Sequence, residues 1–337
     1  MFSVIMPVYN GEKFIDDAIH SVCAQTYDNW ELIIVNDGSK DNTADVLKKY
    51  EINSQIKIIH KENGGLVSAR QAGIKIAKGD YVYNLDSDDA ISEDALLSAY
   101  EIIKSTDAEI VSFSYIYCKE DGQEEVVNDL ADEGLYNKEE MEKYIYPKLL
   151  SDKNMEHLFY FLSGRAVKRT LLTPYQLTVS TSISQGEDIS CIVPCFLEAE
   201  RVYMSKKAIY RYTVRNDSLS TSFNTKQIMQ IAETIEGLRK TIVKKSDDFD
   251  GQLARYSCYM CFAILAAAAE GNHFKSIKEI KNTISNSLHM SQIKKAKFEH
   301  ITLKSRIGIF LMKRQNFRLA FYFLYLCKEI KRIVKKG

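Results

Sequence analysis

The sequence lacks the long apolar runs of membrane proteins. No segment reaches the ~18–20 consecutive apolar residues that a membrane-spanning helix needs. The longest candidate, 258–269, is shorter, and five of its twelve residues are alanine. Residues 1–7 contain no basic stretch ahead of an apolar one, so we expect no secretory signal peptide. These absences predict a cytoplasmic protein without a transmembrane helix.

The sequence has no disulfide-like cysteine framework and little proline. Seven cysteines, an odd number, favour reduced thiols over a disulfide framework. Cys258 and Cys261 lie in an apolar, helix-like stretch, so we expect them in the core. Cys191 and Cys195 have no nearby histidine to complete a zinc site, so the same expectation applies. The last of the four prolines is Pro194, which favours a helical C-terminal third.

The net charge of the whole chain is zero, because 45 Lys and Arg residues balance 45 Asp and Glu residues, but the charges are unevenly distributed. Residues 270–337 hold 16 basic and 4 acidic residues, a difference of +12. Residues 1–269 hold 29 and 41, a difference of −12. The content of 45% hydrophobic and 27% charged residues excludes a largely disordered chain. The basic end predicts an anionic partner, either a membrane or a nucleic acid.

Strand and helix patterns alternate through the first hundred residues. Apolar, β-branched runs predict strands at 2–8, 30–36, 56–60 and 81–85, and helical periodicity fills the segments between them. This alternation without tight hairpins predicts a doubly wound, mainly parallel α/β sheet, whose ligands bind beyond the carboxyl ends of the strands. Further along, the patterns predict a strand at 109–118, a loop or hairpin at 119–133, mainly helix at 137–172, a helix at 186–199, a strand at 202–214 and helices after 224.

The segment Asp86-Ser87-Asp88-Asp89 follows the fourth predicted strand. Two carboxylates held two residues apart in a turn can face one Mg²⁺ or Mn²⁺, which takes oxygen ligands and shares them with substrate phosphates. The alternative is a turn and helix-cap cluster, because Asp and Ser favour both structures. Taken alone, this segment leaves the two interpretations open.

Five motifs in fixed order closely resemble the family 2 glycosyltransferases of the GT-A fold, of the bacterial cell-surface polysaccharide type. They are Ser3–Asn10, Gln25–Tyr27, Glu31–Ser39, Asn63–Gly65 with Arg70 and Gly73, and Gly79–Asp89. The resemblance covers the first hundred residues strongly and 186–221 moderately, and the last third carries none. It implies a GT-A-like catalytic domain at 1–222, with a nucleotide-sugar-binding half (1–110) and an acceptor half (111–222), followed by a helical domain at 223–337.

The resemblance also implies a metal-dependent, inverting transfer of a sugar from a UDP-sugar to an acceptor hydroxyl. It assigns Pro7, Tyr9 and Asp37 to the nucleotide base. The imide N–H of uracil can donate a hydrogen bond to a carboxylate such as that of Asp37. Many relatives have a second aspartate directly before this one, where this chain has asparagine. Asn63 and Arg70 match positions that reach the nucleotide, since a guanidinium suits stacking and anion pairing. The alternatives are a turn residue for Asp37 and a helix-surface salt bridge for Arg70.

By the same resemblance, Asp86 contacts the ribose, Ser87 belongs to the nucleotide-sugar site, and Asp88 is the ligand of the Mn²⁺ or Mg²⁺ that bridges the diphosphate. Asp89 either belongs to this site or only caps the next helix. Asp188 is expected to be the general base on the acceptor hydroxyl.

Glu187 is expected to orient donor or acceptor hydroxyls. The alternative is that Glu187 and Asp188 only occupy the first turn of a helix, without a role in catalysis. Arg211, Arg215 and Ser218 match a segment that closes over the diphosphate and acceptor in bacterial members, with a surface loop as the alternative.

The basic end has three alternative interpretations. Residues 317–337 combine an aromatic, apolar stretch with Lys and Arg, which is typical of an interfacial helix on an anionic membrane. They also suit a packed helix with solvated lysines, or a surface that pairs subunits in a homo-oligomer. A nucleic-acid partner is not expected, because the rest of the chain is acidic.

The acceptor is expected to be a lipid-linked or cell-surface glycan at the inner face of the cell membrane. Two rival functions stay open: a nucleotidyltransferase and a non-catalytic sugar- or partner-binding module. A nucleotidyltransferase would need a basic triphosphate loop near the first strand, and 7–13 offers one lysine.

Overall fold

The computed structural model describes residues 1–119, 121–214, 224–242 and 248–334. The chain divides into two compact units. Unit 1 comprises Met1–Tyr144 and Phe159–Asn216, and unit 2 comprises Ile145–Leu158 and Asp217–Gly337. The predicted domain boundary at residue 222 falls in 215–223, outside the described residues, and stays a prediction.

Unit 1 is built on one ten-stranded sheet. Its strands are β1 (Phe2–Val8), β2 (Trp30–Asn36), β3 (Ile56–His60), β4 (Tyr81–Asn84), β5 (Ala90–Ile91), β6 (Ile110–Cys118), β7 (Glu124–Val127), β8 (Gly134–Asn137), β9 (Arg165–Lys168) and β10 (Arg201–Thr213). They lie in the order β3-β2-β1-β4-β9-β6-β10-β5, with β7 beside β6 and β8 beside β10. Six strands (β1, β2, β3, β4, β6 and β10) run in one direction, because β9 is antiparallel to both β4 and β6. The mainly parallel sheet predicted from the sequence is confirmed.

Helices of unit 1 cover both faces of this sheet. They are α1 (Ile15–Cys23), α2 (Thr43–Lys48), α3 (Gly65–Ile76), α4 (Ala95–Thr106), α5 (Lys138–Glu140), α6 (Arg169–Thr178) and α7 (Glu187–Glu198). Successive residues of a strand point to opposite faces of the sheet, so a largely apolar strand is buried on both faces. Leu32 and Ile34 of β2 belong to the buried cluster that also contains residues of α1 and α4, whereas Ile33 and Val35 pack with α3 on the other face.

The helical prediction for 137–172 is wrong over most of its length. After the short α5, one π-helical turn (Met141–Ile145) and one 3₁₀ turn (Tyr146–Lys148) follow, and then an irregular segment and β9. Pro147 removes a backbone donor. Residues 165–168 form β9 because they pair antiparallel with both β4 and β6, and this pairing overrides the local helical propensity. The segment 119–133 forms a hairpin, since β7 pairs antiparallel with β6.

Unit 2 is helical in its described residues after 224, as predicted. Its helices are α8 (Lys226–Thr241), α9 (Phe249–Glu270), α10 (Ile277–Ser285), α11 (His289–Lys295), α12 (Leu303–Lys313) and α13 (Phe317–Val334). Helix α9 is the central one, and α8, α11, α12 and α13 pack against it. Cys258 and Cys261 are fully buried in α9, and burial raises the pKa of the Cys258 thiol to about 12. In the described part of the chain, no helix combines the length and hydropathy needed to span a bilayer.

Candidate active site

Asp37 lies directly after β2 and is buried, with 3% of its surface exposed. Its carboxylate accepts hydrogen bonds from the backbone N–H groups of Gly64 (3.0 Å) and Gly65 (2.7 Å), and it pairs with Lys61. The side-chain amide of Asn63 donates to the backbone carbonyl of Asp37 at 2.9 Å. Asp37 therefore holds the β3–α3 loop, and with it the start of α3, against the end of β2.

Tyr9 lies at the end of β1 with 47% of its surface exposed, whereas Pro7 is buried inside the strand. The loop after Tyr9 is tied to the loop after β2. The backbone N–H of Asn10 donates to the Ser39 hydroxyl at 2.9 Å, and the Asn10 side chain accepts from the Lys40 N–H at 2.8 Å. An exposed aromatic ring is thus presented on a braced loop, at the sheet edge where Asp37 also lies.

Arg70 joins the two acidic motifs that the sequence separates by about a hundred residues. It lies on α3 with only 2% of its side chain exposed. One guanidinium nitrogen donates to Asp86 at 3.0 Å, and the other donates to Asp188. The helix-surface salt bridge considered from the sequence is wrong, because this guanidinium is buried between two carboxylates. A buried cation of this kind is stable only when it is paired.

Asp188 is held from two sides near the start of α7. Besides Arg70, the backbone N–H of Leu162 donates to its other carboxylate oxygen at 3.1 Å. The carboxylate remains 18% exposed. Beside it, burial and then the charge of Asp188 raise the pKa of Glu187 to about 7. Asp188 is therefore positioned by specific contacts, beyond simply starting a helix.

The turn after β4 is anchored to β10. The hydroxyl of Tyr210 donates to Asp89 at 2.7 Å and accepts from the Asp86 N–H at 3.3 Å. The Thr213 N–H donates to the other Asp89 oxygen at 2.8 Å. Burial, followed by the charges of Asp86 and Asp88, raises the pKa of Asp89 well above its usual range. Capping of the next helix is not the role of Asp89, because α4 begins at Ala95.

Ser87 and Asp88 are partly exposed on the same turn. Carboxylate oxygens suit Mg²⁺ and Mn²⁺, ions that take their remaining ligands from water and substrate phosphates. Among the residues that the structure describes, no three His, Cys, Asp or Glu side chains are grouped to enclose a metal. Asp88 offers a carboxylate of the kind these ions take, and the described residues around the turn form no all-protein metal cage.

The third predicted group is only partly described. Arg211 lies on β10 and pairs with Glu124 of β7. Arg215 and Ser218 lie outside the described residues. The structure thus brings Arg70 into direct contact with both Asp86 and Asp188, and it places Arg211 in an ion pair between β10 and β7.

Sequence reasoning missed the residues that position Asp188. Arg165 is fully buried, donates to the backbone carbonyls of Phe159 (2.9 Å) and Phe161, and lies 3.5 Å from the Asp129 carboxylate. These contacts fix the segment that ends at Leu162, whose N–H meets Asp188. An arginine in an otherwise apolar and aromatic stretch was the available signal, since an arginine there needs buried partners.

Comparisons with known proteins agree with this architecture. Residues 3–173, just over half of the chain, match the family described as Glycosyl transferase family 2. The chain is 28% identical over 341 residues to the uncharacterized glycosyltransferase EpsJ of Bacillus subtilis (strain 168), covering 96% of this chain and 95% of EpsJ. It is 38% identical over 124 residues to TuaG of the same organism, described as a putative teichuronic acid biosynthesis glycosyltransferase, covering 36% of this chain and 49% of TuaG.

Two solved structures share the fold. S. aureus TarS in complex with UDP-GlcNAc superposes with a TM-score of 0.72 at 18% identity, covering 97% of this chain and 91% of that one. The mannosyltransferase PcManGT from Pyrobaculum calidifontis, in complex with GDP-Man and Mn²⁺, gives a TM-score of 0.54 at 16% identity, covering 96% and 86%. At these identities the likeness establishes the fold, and the predicted GT-A-like architecture is confirmed.

Proposed function

The chain belongs to glycosyl transferase family 2 and is a glycosyltransferase, and from this premise we propose that it transfers a sugar from a UDP-sugar to an acceptor hydroxyl with inversion, using Asp188 as the base. The observation that carries the proposal is the arrangement around Arg70. This buried guanidinium binds Asp86 on the donor-side turn and Asp188 at the start of α7. A candidate base is thereby fixed next to the strand ends at which nucleotides bind in such sheets.

The chemistry follows from this placement. Asp188 accepts the proton of the acceptor hydroxyl, whose oxygen attacks the anomeric carbon from the face opposite the leaving group. The bond between that carbon and the diphosphate oxygen breaks, and UDP leaves with the electron pair. The contacts of Asp188 with Arg70 and the Leu162 N–H fix the direction of its carboxylate, and the side chain stays 18% exposed towards an acceptor. Glu187 beside it orients hydroxyl groups of the sugars.

The donor is bound along the carboxyl edge of the sheet. Tyr9 and Asp37, with Pro7 and Asn63, meet the base, and Asp86 and Ser87 meet the ribose. TarS, which has the same fold, is known in complex with UDP-GlcNAc, and this supports a UDP-sugar here. Asp88 would hold Mn²⁺ or Mg²⁺, which when bound stabilises negative charge on the leaving diphosphate. The complex of PcManGT with Mn²⁺ supports that cofactor.

The acceptor is a lipid-linked or cell-surface glycan. Support comes from the similarity to TuaG, which is described as acting in teichuronic acid biosynthesis. On this proposal the enzyme works at the inner face of the cell membrane, where such acceptors are assembled.

The base assignment is tested by Asp188→Asn, with Asp45→Asn as the control. Asp45 is exposed and pairs only with its helix neighbour Lys48 among the described contacts. We expect Asp188→Asn to abolish UDP release from a panel of UDP-sugars with a bacterial lipid extract as acceptor, while UDP-GlcNAc still binds in calorimetry. Full activity would overturn the base, and loss of donor binding in a folded variant would assign Asp188 to the donor site.

The metal assignment is tested separately by Asp88→Asn. We expect EDTA to abolish UDP release from the parent enzyme, and Mn²⁺ or Mg²⁺ to restore it. Asp88→Asn should need far more metal for the same rate. Full activity of this variant at the parent's metal concentration would overturn the role of Asp88 and leave the base assignment untouched.

A further inference from the structure

Helix α13 is apolar on two opposite faces. One face packs into unit 2 and consists of side chains with at most 2% exposure: Phe317, Ala320, Phe321 and Leu324. The other, here called the outer face, consists of Leu319, Tyr322, Leu326 and Ile330, which are 58%, 48%, 57% and 60% exposed. At 3.6 residues per turn these four positions fall within about 80° of one another. A packed surface helix normally presents charged and polar residues on this side, so the outer face needs an explanation.

The two C-terminal helices are strongly cationic. Helices α12 and α13, with the turn between them, span residues 303–334 and hold eight Lys or Arg residues against one Glu. Arg318, Lys331 and Arg332 are exposed on α13 itself. At 3.6 residues per turn, Arg318 lies about 80° from the centre of the outer face, whereas Arg332 and Lys331 lie about 120° and 140° from it. Phe323 and Cys327 border the outer face and are partly exposed. The surface therefore combines an apolar stripe with a charge of +7 on this helix pair.

We propose that the outer face of α13 binds an anionic lipid surface, with its four apolar side chains in the interface and the cations among the headgroups. Each element of the surface matches this partner. Apolar side chains in a helical stripe enter the boundary between headgroups and acyl chains, and Lys and Arg are attracted to the negative potential of the leaflet. A packed α13 keeps its inner face in unit 2 and needs no refolding to present the outer one.

Other occupants fit the surface less well. A second copy that paired through the same face would place two helix pairs of charge +7 against each other, since a two-fold interface joins identical patches. A nucleic acid would be bound by a basic groove or stripe, whereas the centre of this stripe is aliphatic and aromatic. Anionic lipid suits both the apolar stripe and the positive charge of the helix pair.

The experiment is co-sedimentation of the full chain with vesicles. We expect binding to phosphatidylcholine vesicles that contain phosphatidylglycerol, much weaker binding to phosphatidylcholine alone, and weakening by salt. Leu326→Glu with Ile330→Glu should lower the partition coefficient at least about tenfold, because it places charge in the stripe and removes apolar contact. The matched control is Ile52→Glu with Val126→Glu, two residues of unit 1 that are 92% and 57% exposed. It adds the same charge and should bind like the parent.

Circular dichroism melting checks that both double variants fold. Light scattering after size exclusion measures the oligomeric state of the parent and of both variants. If the parent is an oligomer that Leu326→Glu with Ile330→Glu dissociates, the outer face is a contact between copies and the proposal fails. It also fails if the parent does not sediment with anionic vesicles, or if the stripe variant and the control bind equally well.

Discussion

The hydroxyl of Tyr210 on β10 contacts the acidic turn at two points. It donates to the buried Asp89 carboxylate and accepts from the backbone N–H of Asp86. Burial raises the pKa of Asp89, so this carboxylate depends on such partners to stay buried. The position of Asp88 on the turn therefore follows from a tyrosine more than a hundred residues away.

We predict that Tyr210→Phe lowers the free energy of unfolding by about 1–3 kcal/mol, because it leaves a buried acceptor and donor without this partner. The KM for the UDP-sugar should rise as the turn loosens. Urea denaturation and donor titrations measure the two effects. Tyr83→Phe on β4 is the control, since the buried Tyr83 hydroxyl has no hydrogen-bond partner within the described residues. Equal stability losses in the two variants would contradict the assigned role of Tyr210.

Helix α3 carries Arg70 and reaches its position through a close contact with β1. Gly73 faces this strand, and a Cβ atom there would come within 2.6 Å of Cγ2 of Ile5, which is fully buried. Glycine is unfavourable inside a helix by about 1 kcal/mol relative to alanine. Here it is required because the helix and the sheet approach closely.

We predict that Gly73→Ala destabilises the protein by about 1–3 kcal/mol, since overpacking a filled core exceeds the gain in helix propensity. Gly237→Ala in α8 is the matched control. No heavy atom among the described residues lies within 4 Å of a Cβ at that position, so this variant should gain about 0.4–1 kcal/mol. Chemical denaturation of both variants tests the pair, and a stabilised Gly73→Ala variant would contradict the close-contact argument.

Sequence patterns succeeded where an element is specified locally. β2 (Trp30–Asn36) and β3 (Ile56–His60) begin and end where the apolar runs predict. β2 is buried at every position, whereas β3 lies at the edge of the sheet and is only partly buried. They failed for 137–172, where the pairing of β9 between two distant strands decides the structure. Likewise the contact of Arg70 with Asp188 spans 118 residues, and no local pattern encodes its geometry.

At the scale of the whole molecule, burial shifts the pKa of Glu187 in unit 1 and of His289 in unit 2, and the two shifts have opposite consequences for stability. In unit 1, burial raises the pKa of Glu187 from 4.5 to about 7. In unit 2, burial lowers the pKa of His289 below 6.5. The imidazole lies between the Ser257 hydroxyl, 2.7 Å from Nδ1, and the Ile228 carbonyl, 2.6 Å from Nε2.

The signs follow from proton linkage. Folded Glu187 binds its proton more tightly than the unfolded chain does, so its contribution to stability is present below pH 4.5 and is lost as pH rises towards about 7. Folded His289 binds its proton less tightly, so its contribution is present above pH 6.5 and is lost as pH falls through its lowered pKa. The two groups therefore oppose each other between weakly acidic and neutral pH.

We predict that Glu187→Gln and His289→Gln change the pH dependence of stability in opposite directions. Urea denaturation across pH 4.5–8 with EDTA present measures it. Relative to the parent, Glu187→Gln should become progressively more stable as pH rises to about 7, because the cost of ionising this carboxyl is removed. His289→Gln should become relatively more stable as pH falls below 6.5, whatever its constant loss of packing. His300→Gln alters an exposed histidine and should run parallel to the parent. Parallel curves for all three variants would contradict the assignment, because shifts caused by burial must disappear with the buried group.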